Sequence, residues 1–131
     1  MRKEAYFRII LMESKVILDE IAFIGSEIIR ELESGNPNNI HLKANEVGYY
    51  LEVVQKYLRY FENTIADSKF DNLDTKIDLT RRKLRSFFRQ FESIFFGTDR
   101  WYQRVTQLRN RLVEETRNLE DILKSDRSHP S

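Results

Sequence analysis

The chain is 131 residues long, room for one domain with its own core, and 22 Lys/Arg against 21 Asp/Glu leave a net charge of only +1. The lack of cysteine excludes disulfides and thiolate metal sites and leads us to expect a reducing, cytoplasmic setting, while only four glycines and two prolines fit a compact helical protein rather than a disordered tail or a sheet. Charged residues make up 33% and hydrophobic ones 40%, the balance of a packed helical domain rather than a disordered tail.

The N-terminal stretch begins basic and turns apolar, but Arg8, Glu13 and Lys15 interrupt any signal-peptide core. No window reaches the ~18 apolar residues of a membrane span, so no membrane insertion is expected. From residue 3 to 34, Phe7, Ile10, Ile17, Ile21, Ile24, Ile28 and Leu32 recur with the helical period, and Gly35 follows as a stop able to take the left-handed conformation. Residues 35–39 read as a turn. A second helix is predicted over 40–66, with Asn38 or Asn39 as N-cap and Val47, Tyr50, Leu51, Val54, Leu58, Phe61 and Ile65 on its core face.

After a polar connection, a third helix is predicted over 74–96. Thr75 and Asp78 have capping-box spacing at its start, and Ile77, Leu84, Phe88, Phe91, Ile94 and Phe95 form its apolar stripe. Gly97 breaks it. Thr98 as N-cap and Asp99 in the first turn open a fourth helix over 99–124, which buries Trp101, Val105, Leu108, Leu112, Leu119, Ile122 and Leu123. Residues 125–131 are expected to fray. Short connections between long amphipathic helices predict an all-α, up-down-up-down antiparallel four-helix bundle, a single domain over 1–124. The rival, in which the third and fourth helices run on as one rod, conflicts with a glycine set directly before an N-cap.

The small net charge hides a polarised chain. Residues 81–111 hold nine Arg/Lys against Glu92 and Asp99, a local +7, and the rest of the chain sums to −6. Placed at ~100° per residue, Glu13, Glu20 and Glu27 occupy one flank of the first helix. Arg111, Arg104 and Arg100 occupy the matching flank of the fourth, so three interhelical ion pairs are expected, each worth ~0 to 1 kcal/mol. On the third helix, Arg81, Arg85 and Arg89 form an i, i+4, i+8 row with Arg82 beside it and Arg109 across from it. Like charges at that spacing cost ~0.2 to 0.5 kcal/mol per pair, and only Glu92 and Glu120 stand near enough in sequence register to offset them. Two readings stay open: a binding face, or solvated arginines whose stems cover apolar surface.

Aromatic residues divide too. Tyr50, Val53 and Tyr57 are expected to form a seam with Phe87 and Phe91, whereas Tyr49, Tyr60, Phe96 and Tyr102 fall off the core stripe, and Phe96 and Tyr102 become candidate contacts beside the basic edge. Catalysis has little to work with. His41 and His129 are the only histidines, no Glu-x-x-His pair occurs and no phosphate-loop signature is present, so no enzyme activity, cofactor or metal is expected. Leu108 to Glu115 is similar to the arginine-asparagine stretch of the HEPN family, small helical bundles that include RNA-cleaving toxins. That family's motif continues to a histidine; here Glu114 stands in its place, which removes the implied nuclease role.

Two function classes follow. One is a protein-interaction module that uses the edge formed by Arg81, Arg82, Arg85, Arg89 and Arg109 to dock an acidic or amphipathic protein surface or a second copy of the chain. The other is non-specific binding of nucleic acid, with the same arginines on phosphates.

Overall fold

In a computed structural model the described residues are 2–34, 44–92 and 99–127. They form four helices: α1 (Lys3–Glu33), α2 (Ala44–Ala66), α3 (Leu73–Glu92) and α4 (Asp99–Arg127). The expected turn at 35–39, His41, Ile94, Phe95, Phe96, Gly97, Thr98 and His129 lie outside the described residues. Two expectations need correcting. Helix α4 runs on through Arg127, so residues 125–127, expected to fray, are helical. Helix α3 begins at Leu73, which puts Thr75 inside its first turn and removes it as an N-cap. The flanking residue is Asn72, at a positive φ of 55°, whose carbonyl accepts the Lys76 amide at 3.1 Å. Asparagine tolerates this left-handed conformation better than most residues.

The four helices close a ring: α1 packs on α2 and α4, and α3 packs on α2 and α4. Contacts between neighbours pair rising numbers with falling ones. Between α1 and α2, Tyr50 meets Ile21 and Asp67 meets Arg8. Between α2 and α3, Tyr50 meets Phe91, Tyr57 meets Phe87 and Tyr60 meets Thr80. Arg104 reaches Glu20 from α4 to α1, and Arg85 reaches Glu120 from α3 to α4.

The core follows the apolar period. Phe7, Ile17, Ile21 and Ile28 of α1, Val54 and Phe61 of α2, Ile77 and Leu84 of α3, and Leu108 and Leu112 of α4 are all buried. Each such side chain contributes about 1.5–3 kcal/mol on leaving water. The α2–α3 seam is aromatic, as expected. Phe87 stacks on Phe91 with centroids 4.9 Å apart, and the Tyr57 ring meets Phe87 edge-on at 5.3 Å. Its buried polar atoms are matched within the seam: Tyr57 Oη donates to Ser86 Oγ at 2.9 Å and accepts from Gln90 Nε2 at 2.9 Å. Tyr60 Oη lies 2.8 Å from Thr80 Oγ1, whose own proton goes to the Lys76 carbonyl at 2.8 Å, so the tyrosine is the donor.

The α1–α2 seam is set by a close approach instead. A Cβ built on Gly25 would stand 2.7 Å from both Leu51 Cδ2 and Tyr50 Cε1, so only glycine admits the α2 side chains here.

Candidate functional site

The arginine row on α3 is where the sequence places a binding face, and its charges are largely met inside the fold. Arg81 donates to Asp78 Oδ1 from Nε at 3.1 Å and from Nη2 at 2.6 Å, while Arg82 Nη2 sits 2.9 Å from Asp78 Oδ2. One carboxylate thus serves two guanidinium groups within a single turn. Arg85 crosses to α4 and donates to Glu120 Oε1 at 2.7 Å. Arg109 lays its guanidinium over the Phe88 ring, 5.7 Å from the centroid, an attraction between cation and ring quadrupole. Arg89 is exposed. The expectation that only Glu92 and Glu120 offset this row is therefore corrected: the chief counter-charge is Asp78, three and four residues upstream, where helical geometry brings an acid beneath two arginines. Of the aromatic candidates, Tyr102 and Tyr49 are exposed and Tyr60 is half-buried against Thr80; Phe96 lies outside the described residues.

The acidic flank of α1 meets α4 in a different pattern from the one expected. Glu20 and Arg104 form the anticipated ion pair. Glu27 instead pairs with Arg30 on its own helix at 2.9 Å, and the Arg100 side chain lies outside the described residues. Glu13 turns to Glu115. Burial raises the pKa of Glu115, and its hydrogen bond and charge interaction with Glu13 add to the rise, bringing it to about 8; Asn118 and Arg111 oppose the shift. Two carboxyls can share a hydrogen bond only if one keeps its proton, and buried Glu115 is the one that does. Nearby in sequence, Ser14 is fully buried and its Oγ has no hydrogen-bond partner among the described residues.

A second surface escaped the sequence reading. Ile9, Met12, Val16 and Phe23 of α1 are 45%, 59%, 61% and 60% exposed. At ~100° per residue they share one stripe roughly 145° round the helix from the stripe of Phe7, Ile17, Ile21 and Ile28, so α1 is apolar on two faces. Ile9 and Phe23 are fourteen residues apart, and the ridge is about 21 Å long at 1.5 Å per residue. The legible signal was the spacing of steps of three, four and seven, which a search for one core stripe per helix passes over. Polar groups rim the ridge, Arg8 and Lys15 toward α2 and Glu13, Glu20 and Glu27 toward α4, while Asp19 lies within its line between Val16 and Phe23. Lys15 Nζ sits 2.7 Å from Asp19 Oδ2, which raises the lysine pKa, with Glu62 of α2 adding to the effect.

Among the described residues, no group of three or more His, Asp or Glu side chains is placed to hold a metal ion, and no helix is long and apolar enough to cross a membrane. An open depression beside the start of α3, lined by Lys3, Asn72, Leu73, Asp74 and Thr75, holds the ion pair of Lys3 with Asp74 at 2.8 Å in its wall. No protein-family model, curated protein or solved structure matches this chain.

Proposed function

We propose that this chain is a non-enzymatic helical protein-interaction module whose principal docking surface is the outer face of α1. The observation that carries the reading is the Ile9, Met12, Val16 and Phe23 ridge: four large apolar side chains left in water along one line, on a helix that already has a complete core face. Scattered exposed hydrophobics need no explanation, whereas an aligned set rimmed by charge is the form of a helix-docking surface. The basic α3/α4 edge, with exposed Arg89 and Tyr102, is a secondary contact region in this reading. Nucleic-acid binding is the weaker alternative, because Asp78 and Glu120 already hold three of the five arginines it would draw on.

Two surface variants separate the readings. M12E/V16E places charge on the ridge, and R85E/R89E reverses the basic edge; neither touches the buried core. Affinity capture from the native host should lose the same protein with M12E/V16E that wild type retains. Capture unaltered by either variant would sink the reading. An oligonucleotide anisotropy titration that shows binding at about 50 mM salt and none at about 200 mM would favour the alternative.

A further inference from the structure

The ridge on α1 carries the heptad pattern of a two-stranded coiled coil, and we infer that its occupant is a second copy of this chain, with the two α1 helices side by side, parallel and in register. This deepens the interaction-module reading and rests on it. With Ile9 at position a, the a positions are Ile9, Val16 and Phe23, and the d positions are Met12 and Asp19. Two of the three a residues are β-branched and Met12 at d is not, the distribution that favours two parallel strands.

The rim decides the orientation. The e positions are Glu13, Glu20 and Glu27, and the g positions ahead of them hold Arg8 and Lys15. In a parallel pair each g residue faces the e residue five further along the other strand, which sets Arg8 against Glu13 of the second copy and Lys15 against its Glu20. In an antiparallel pair e faces e and g faces g, so glutamates oppose glutamates and the two cations oppose each other. Glu20 already pairs with Arg104 and Lys15 with Asp19, surface pairs on partly exposed side chains whose partners exchange at little cost. Arg8, by contrast, also donates to the Asp67 carbonyl and lies over the Phe70 ring, and Glu13 faces Glu115, so the Lys15 to Glu20 contact carries the orientation. Asp19 is the one charged residue in the a/d seam. Lys15 stands 2.7 Å from it, one base shared between this seam acid and Glu20 of the second copy. A single polar layer of this kind also penalises any slipped register.

Geometry allows the approach. The ridge lies roughly 145° round α1 from its core stripe, on the outer side of the helix. Four side chains over about 21 Å cover less than the ~800 Å² per partner of a standard interface, so the association is reversible and expected in the micromolar range.

Sedimentation equilibrium over a concentration series tests the pairing, with circular dichroism as the control on folding. Wild type should rise from one to two chain masses, and M12E/V16E should stay at one with unchanged helicity. The chain has no cysteine, so an introduced thiol reports orientation without interference. Under mild oxidation I9C and F23C, at opposite ends of the ridge, should each form a disulfide-linked dimer with itself. Cross-linking by V16C but by neither end variant would mean an antiparallel pair and overturn the proposal. So would a wild type that remains at one chain mass throughout. If that monomer still loses a foreign partner through M12E/V16E, the interaction-module reading survives and only the second copy is lost; if nothing is lost, both fall.

Discussion

The hydroxyl of Tyr50 donates to the backbone carbonyl of Ile21 at 2.8 Å, a hydrogen bond from the middle of one buried helix face into the middle of another. That carbonyl already receives an amide in the α-helical ladder, so the tyrosine uses its second lone pair. Burial drives the pKa of Tyr50 strongly upward, and the phenol remains a donor at any pH the fold survives. One turn along, Gly25 leaves the room in which the ring sits.

Tyr50→Phe is therefore expected to cost about 1 kcal/mol, the worth of one net hydrogen bond, with the helix content unchanged. Gly25→Ala should also destabilise, against the helix-propensity gain of up to ~1 kcal/mol, because its Cβ would fall 2.7 Å from a ring held on both sides. Urea unfolding of both variants checks this; a more stable Gly25→Ala protein would mean that Tyr50 and Leu51 yield easily.

A second prediction concerns pH. Glu115 has a folded-state pKa of about 8 against an ordinary 4.5, so the folded chain binds its proton more tightly than the unfolded chain does. The stability it contributes is complete below the unfolded value and is lost as pH rises through the folded one, a fall of roughly 3–4 kcal/mol between pH 5 and pH 8. Glu115→Gln keeps the shape and removes the titration, so its unfolding midpoint should be flatter across that window and higher than wild type at pH 8. A slope identical to wild type would place the dependence on other groups.

Ser14 offers a simpler test. Its hydroxyl is fully buried with no hydrogen-bond partner among the described residues, so Ser14→Ala removes a desolvated polar group at the loss of one atom of packing. The variant should be more stable by up to ~1 kcal/mol in thermal unfolding. A destabilised variant would mean that the hydroxyl is bonded in solution.

The fourth prediction follows from Asp78, which holds both Arg81 and Arg82. Asp78→Asn frees two guanidinium groups and should cost roughly 0.5–1 kcal/mol of stability. The variant should elute from a heparin column at higher salt than wild type. Any duplex binding should steepen in salt dependence by up to about 2, the contribution of two more phosphate contacts. Unchanged elution would show that Asp78 does not restrain the basic edge.

Much of the fold was legible because burial obeys a period. Phe7, Val54, Leu84 and Leu112 lie where the helical spacing puts them, and the Glu20–Arg104 pair follows from the register that this spacing implies. The charge network was less legible, because a long side chain chooses among several partners within reach. Glu27 turned back to Arg30 rather than across to α4, and Glu13 met another acid. Asp78 was read as part of a cap, when a helix starting two residues earlier than Thr75 made it a counter-ion. The ridge on α1 was missed for a different reason. A helix is expected to hide one stripe, and nothing in composition distinguishes a second stripe that stays in water.

The segment joining α2 to α3 is tied back to α1. Arg8 stacks 4.4 Å over the Phe70 ring and donates to the Asp67 carbonyl at 2.9 Å, Phe7 meets the same ring at 5.1 Å, and Lys3 holds Asp74 at 2.8 Å. These contacts join residues 59 to 71 positions apart, so each carries the chain-closure cost of a long loop. The bend that launches α3 thus rests on α1, and the direction of the second half of the molecule is set by contacts to the first.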